Sequence, residues 1–168
     1  MSINLIVANS ANGVIGKNGC MPWHIPYDLK RFRLLTKDSI VLMGRKTYES
    51  IGKQLPDRYN FVISSMDLKD KNIYVFKDIN CAISYAKKNF PNLDIFVIGG
   101  ASIYNHFLKL DLIDNIYQTV INKNIEGDTY FSFDESDWDV EHRFHIELKN
   151  NDEILDCSYI TWKRKNLE

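Results

Sequence analysis

The stretch "SIVLMGRKTYESIG", Ser39 to Gly52, reads as a buried strand that runs directly into a helix. Ile40 to Met43 are apolar without alternation, the pattern of a strand covered on both faces. Gly44 ends the run, and a helix is expected over Arg45 to Ile51. A helix N-terminus presents unpaired N–H groups and partial positive charge, so Gly44, Arg45, Lys46 and Thr47 at this point suit a phosphate. A tight turn followed by solvated basic residues would use the same residue types, and this segment alone leaves both readings open.

The same unit recurs on either side. "INLIVA", "NFVISS", "NIYVF", "DIFVIGG" and "IYQTVI" are short apolar or β-branched runs, and helices are expected over Pro26 to Thr36, Ile79 to Asn89 and Ser102 to Leu108. Alternation of this kind builds a mainly parallel sheet flanked by helices. Near the end, "DVEHRFHIEL" and "DCSYITWKRK" alternate with period two around a polar "KNND", which predicts an antiparallel hairpin. No repeat, low-complexity tract or linker interrupts the chain, so the expectation is one α/β domain over residues 1–168 with a mixed, mainly parallel twisted sheet.

Ligands of such sheets bind outside the carboxyl ends of the parallel strands. There "VISS" supplies Ser64 and Ser65, and "FVIGGASIY" supplies Gly99, Gly100, Ala101 and Ser102. Together with Gly44 to Thr47, these strand ends fit an extended phosphate-bearing ligand better than unrelated turns. Neither GxGxxG nor GxxxxGK[ST] occurs, so a nucleotide would be held by a different arrangement.

Composition narrows the partners. The 168 residues are 45% hydrophobic and 26% charged with a formal net charge of -1, which gives no field to gather nucleic acid or a membrane surface. Small molecules are the expected partners. Cys20, Cys81 and Cys157 are widely spaced and odd in number, the usage of reduced cytoplasmic thiols. The apolar start, Ile3 to Ala8, lacks a basic leader and is too short to span a bilayer. On a strand His142 and His145 point to opposite faces, so no metal site is expected.

"MPWHIPYDLKRF", Met21 to Phe32, holds the most informative acid. Pro26 suits the first helical position, which puts Asp28 in the first turn, where a carboxylate complements the helix dipole. Asp28, Phe32 and Leu35 are spaced i, i+4 and i+7, so the acid also borders an apolar face and needs a partner. Arg31 is expected to point to water. A ligand with paired N–H donors would satisfy the carboxylate with two parallel hydrogen bonds. Capping and ligand binding are compatible at this position.

In order and spacing, "GVIGKNGCMPWHIPYDLKRF", "VLMGRKTYESIG", "LPDRYNFVISS", "VIGGASIYNHFL" and "EGDTYF" resemble the dihydrofolate reductases of bacterial type, over almost the whole chain. The resemblance implies NADPH-dependent reduction of dihydrofolate to tetrahydrofolate, with hydride going to pterin C6 and a proton to N5, by a cytoplasmic monomer. It implies that Asp28 holds the pterin, with Thr119 hydrogen-bonded to it and Trp23 beside a nearby water. Ile6, Val7, Leu29, Phe32, Ile51 and Ile98 would form the apolar walls, Leu55 would meet the benzoyl ring, and Arg58 would pair with the glutamate tail.

For the cofactor, the resemblance implies a mobile loop from Ile15 and Gly16 to Met21, with Ala8 beside it. Gly44, Arg45, Lys46, Thr47, Ser64 and Ser65 would meet phosphate and adenosine, and Gly99, Gly100, Ala101, Ser102, Ile103 and Tyr104 the pyrophosphate side, with Tyr104 also near the nicotinamide and pterin. The family's Gly-Gly peptide is cis. Ser102 stands where some relatives carry arginine near the 2'-phosphate, and Met66 where a polar residue is frequent, so preference for NADPH over NADH would rest on Arg45 and Ser65. Asn9 and Val7 stand where smaller or apolar residues are usual in the pterin pocket. A pyrimidine reductase of riboflavin synthesis would not need Asp28, Trp23 and Arg58 together, and a silent folate- or nucleotide-binding module would keep the pockets without turnover.

Overall fold

A computed structural model describes residues 1–166. The chain runs β1 (Ile3–Ser10), β2 (Val14–Gly16), α1 (Pro26–Thr36), β3 (Ile40–Gly44), α2 (Arg45–Ile51), β4 (Tyr59–Ile63), β5 (Tyr74–Phe76) and α3 (Ile79–Asn89). It continues with β6 (Ile95–Gly99), α4 (Ala101–Lys109), β7 (Asn115–Ile121), β8 (Thr129–Tyr130), β9 (Trp138–Asn150) and β10 (Glu153–Arg164). An eight-stranded sheet has the order β5-β4-β3-β6-β1-β7-β10-β9. Its first six strands are parallel, and β10 runs antiparallel to both β7 and β9.

Local chemistry explains the boundaries. Pro26 opens α1, where its missing N–H costs nothing. Asp78 caps α3 by accepting a 2.8 Å hydrogen bond from the Cys81 N–H. Gly52 closes α2 at φ +82°, a left-handed angle that glycine adopts without a Cβ penalty. The hairpin turns at Asn151, φ +54°, one of the few residue types that tolerate this region.

Period two along the strands sorts the core into two layers. Leu5 and Val7 of β1 join Leu42, Phe61, Val97, Ile103, Tyr104 and Phe107 on the side of α3 and α4. Ile6 joins Val41, Met43, Val62 and Phe96 on the other side, against Phe32 and Leu35 of α1, Tyr48 of α2 and Leu55. A smaller cluster of Trp23, Ile25, Ile121, Cys157 and Tyr159 continues that second side toward the hairpin.

This alternation corrects an expectation. Val7 does not share a wall with Ile6, because successive side chains on a strand face opposite ways. Its side chain lies in the α3/α4 layer. Asn9 is likewise turned from the pocket side. Its Oδ1 accepts from Gln118 Nε2 at 2.8 Å, and Gln118 Oε1 accepts from Trp162 Nε1 at 2.9 Å, a buried polar chain along the α3/α4 face of the sheet.

The antiparallel pair of β2 and β8 was not apparent as strands in the sequence. It is too short to show a period. Gly127 makes it possible: a Cβ there would lie 2.7 Å from the Gly16 carbonyl oxygen and closer still to Val14 Cγ1.

Candidate functional site

Asp28 leaves the first turn of α1 and reaches β7, where its Oδ1 accepts a 2.8 Å hydrogen bond from Thr119 Oγ1. No side chain caps α1, so the carboxylate serves the tertiary contact rather than the helix end. Burial raises its pKa above the usual carboxylate range, while the Thr119 hydrogen bond and the Arg31 charge pull the other way. Arg31 does not extend into water as expected. Its guanidinium carbon lies 4.0 Å from the centroid of the Tyr159 ring, because β10 brings an aromatic face within reach.

Apolar residues form the layer on which α1 packs. Trp23 is buried beside Ile25, and Phe32, Leu55 and Ile98 pack on the layer that contains Ile6. Leu29, next to Asp28 on α1, and Ile51, the last residue of α2, leave apolar surface open to solvent. Arg58 lies at the far end of this surface. Its Nε donates to the Pro56 carbonyl at 2.8 Å, its Nη1 donates to Thr36 Oγ1 at 3.0 Å, and its guanidinium carbon is 5.9 Å from the Phe32 ring centroid. Two of its donors are thereby engaged within the chain, and the guanidinium is held in place.

The carboxyl ends of β3, β4 and β6 hold the glycine and hydroxyl groups. The Gly99–Gly100 peptide is cis. A Cβ at Gly100 would lie 3.4 Å from Thr47 Oγ1, and one at Gly44 would lie 3.2 Å from Ile103 Cγ1. The absence of side chains therefore lets β3, β6, α2 and α4 approach closely around Thr47. Tyr104 donates from its hydroxyl to the Ile6 carbonyl at 2.7 Å, tying α4 to β1. The side chains of Ile103 and Tyr104 are buried, whereas Lys46, Ser65 and Ser102 are exposed and Ala101 is half-buried.

Two hydroxyl and cation expectations take a different form. Ser64 spends its side chain on Met66, donating to its carbonyl at 2.8 Å and accepting from its N–H at 3.0 Å. Arg45 forms an ion pair with Glu49 at 2.8 Å, one helical turn away.

The segment from Gly16 to Met21 is tied down by contacts that local sequence does not reveal. The Asp128 N–H donates to the Gly16 carbonyl at 3.0 Å, and the Asn18 N–H donates to Asp128 Oδ2 at 2.9 Å. Ser50 Oγ donates to the Gly19 carbonyl at 3.0 Å, and the His24 N–H donates to Asn150 Oδ1 at 2.9 Å. Ala8 is paired with Thr119 across β1 and β7, Ile15 packs on the α3/α4 layer, and Met21 is exposed. Sequence reading also missed Tyr159, whose signal was its place in the alternating run "DCSYITW".

Among the described residues no three His, Cys, Asp or Glu side chains gather as metal ligands. His142 instead stacks on Phe144, and His145 pairs with Asp156 at 2.5 Å.

A solved dihydrofolate reductase from Enterococcus faecalis, complexed with NADP(H) and RAB-propyl, has a TM-score of 0.84 against this chain at 31% identity, covering 98% of this chain and 97% of that one. The architecture is that of a dihydrofolate reductase. The dihydrofolate reductase of Haemophilus influenzae is 36% identical over 168 residues, spanning 98% of this chain and all of the relative. That of Bacillus subtilis is 34% identical over 170 residues, spanning 98% and 95%. The family model described as Dihydrofolate reductase matches residues 2–164. The chain belongs to the dihydrofolate reductase family.

Proposed function

We propose that Asp28 is the group through which this NADPH-dependent enzyme holds the pterin of 7,8-dihydrofolate, so that hydride reaches C6, a proton reaches N5 and 5,6,7,8-tetrahydrofolate leaves. The observation that carries this reading is the Asp28 carboxylate, largely removed from water, hydrogen-bonded to Thr119 and set on the helix that packs over the apolar Ile6 layer. A carboxylate there can accept two parallel hydrogen bonds from an amino group and ring N–H of the pterin. With Thr119 donating to Oδ1, the carboxylate plane is held for that contact.

NADPH supplies the hydride when it is bound. The residues present fit it: Gly44, Gly99 and Gly100 lack side chains around Thr47, and the exposed Lys46 and Ser65 lie at the same ends of the parallel strands. Arg45 would turn from Glu49 toward the 2'-phosphate. Ile6, Leu29, Phe32, Ile51 and Ile98 would shield the pterin, and Leu55 and Arg58 would receive the benzoyl ring and glutamate tail. Val7 and Tyr104 would contribute through backbone and support. The segment from Ile15 and Gly16 to Met21 would close over the nicotinamide, with Ala8 of β1 beside it, which excludes water and brings the rings together.

Asp28 orients and polarises the pterin, Trp23 stands beside the pocket, and the proton reaches N5 through water. Loss of NADPH absorbance with dihydrofolate as acceptor measures the activity. Asp28→Asn should lower hydride transfer by roughly a hundredfold or more at neutral pH, and less at acid pH where substrate arrives protonated. A flat, wild-type-like pH profile in that variant would refute the role. The chain is proposed to work as one domain over residues 1–168. A cytoplasmic location is supported by three free cysteines, and cell fractionation checks it.

A further inference from the structure

We propose that Arg31 and Tyr159 are a positioning pair for Asp28, with the Tyr159 ring acting as a shelf that holds the Arg31 guanidinium on the carboxylate's side of α1. The proposal rests on the reading of Asp28 as the pterin-holding group. Its basis is a two-over-two arrangement. Asp28 and Arg31 are neighbours at i and i+3 on one face of α1. Beneath them, Thr119 of β7 and Tyr159 of β10 are direct partners across an antiparallel ladder. Such partners share a face, with Cβ atoms roughly 5 Å apart. Asp28 meets Thr119 at 2.8 Å and Arg31 meets the Tyr159 ring at 4.0 Å, so each helix residue sits on one member of the strand pair.

An arginine on a half-buried helix face would ordinarily extend its head into water. The ring face offers an alternative seat, and a planar guanidinium stacks there better than an ammonium. Tyr159 is buried, and its hydroxyl has no hydrogen-bond partner among the described residues. The ring is therefore located by packing within the Trp23, Ile25 and Cys157 cluster, and the ring face rather than the hydroxyl carries the role.

Among the described residues, the charges around Asp28 leave Arg31 without a rival cation. Thr119 and Ala8 are neutral, as are Trp23 and Ile25. From β10, Cys157 and Tyr159 face the acid, and burial with the nearby Asp28 charge pushes both upward, Cys157 to about 11, so both stay neutral at working pH. On β9, Phe144 lies opposite Tyr159, with His142 stacked on it, while Glu141 acts on Tyr117 of β7. Tyr27 precedes Asp28 on α1, and Lys30 is exposed. Arg31 is the cation that opposes the effect of burial on Asp28.

The test is the carboxyl-carbon NMR titration of Asp28 in the full chain, with the pH profile of single-turnover hydride transfer beside it. Arg31→Gln should move the Asp28 midpoint upward by about half a pH unit to one unit, and the kinetic profile with it. Tyr159→Leu should also raise it, and adding Arg31→Gln to Tyr159→Leu should add less than it does alone. Tyr159→Phe keeps the shelf and should leave the midpoint in place, as should Lys30→Gln. An unchanged midpoint in Arg31→Gln overturns the proposal, and so do an equal shift in Lys30→Gln, fully additive shifts, or a Tyr159→Phe shift as large as that of Tyr159→Leu. The NMR midpoint reads Asp28 whether or not it holds the pterin, so failure here is distinct from a failed Asp28→Asn experiment.

Discussion

Asp28 carries opposed demands. Burial disfavours its charge, whereas the proposed recognition of N–H donors needs that charge. Because its pKa is raised in the folded chain, the folded state keeps the proton to higher pH than the unfolded state does. Stability is then lost as pH rises from the ordinary carboxylate range through the folded-state titration, and the loss is complete above it. Asp28→Asn retains an acceptor for Thr119 and removes the charge. It should therefore raise the melting temperature of the ligand-free protein by a few degrees at neutral pH, with the gain shrinking in acid. Calorimetry across pH checks this, and a variant less stable than the parent at neutral pH would contradict it. The group proposed to hold the pterin is thus one that the fold tolerates at a cost.

At the scale of elements, the short pair of β2 and β8 anchors the segment from Gly16 to Met21. Gly127 lies against Val14 and the Gly16 carbonyl, and its neighbour Asp128 holds both Gly16 and Asn18. Gly127→Ala has no room for its methyl group and should force β8 away from β2. The expected result is a fall of about tenfold in hydride transfer with a smaller change in melting temperature, because the Gly16 to Met21 segment loses its anchor while both core layers stay intact. Stopped-flow kinetics and thermal melts on one preparation separate the two effects. This dependence was not legible in the sequence. "EGDTYF" stood out only through the family resemblance, since a strand of two residues has no period to detect.

At the scale of the whole molecule, the long hairpin ends the sheet with β9 as an open edge. Charged residues interrupt it, with Glu141, Arg143, Glu147 and Lys149 alternating with Val140, Phe144 and Ile146. Such an edge resists pairing with a second sheet. Sedimentation should accordingly give one species at the 19.6 kDa of a single chain, and a dimer at micromolar concentration would refute this.

The order of elements and the two-sided burial of the sheet were legible because they follow from local periodicity. The limits of α1, α2 and α3 coincide with those expected from the residues, and α4 differs by one residue at each end. The faces of single strand residues were less clear: in a run without alternation such as "INLIVA", the period that would separate Ile6 from Val7 is hidden by apolar residues on both sides. Partners were not legible at all from local pattern. Thr119 reached Asp28 only through the family resemblance, and Arg31 was expected in water. What the sequence by itself determined is the succession of strands, turns and helices, with the residue types available at each strand end. Only the tertiary structure decided that residues 28, 31, 119 and 159 meet, because that meeting depends on the register of β7 against β10 and on the seat of α1. Those are set by packing of the whole core, not by the preferences of any one segment.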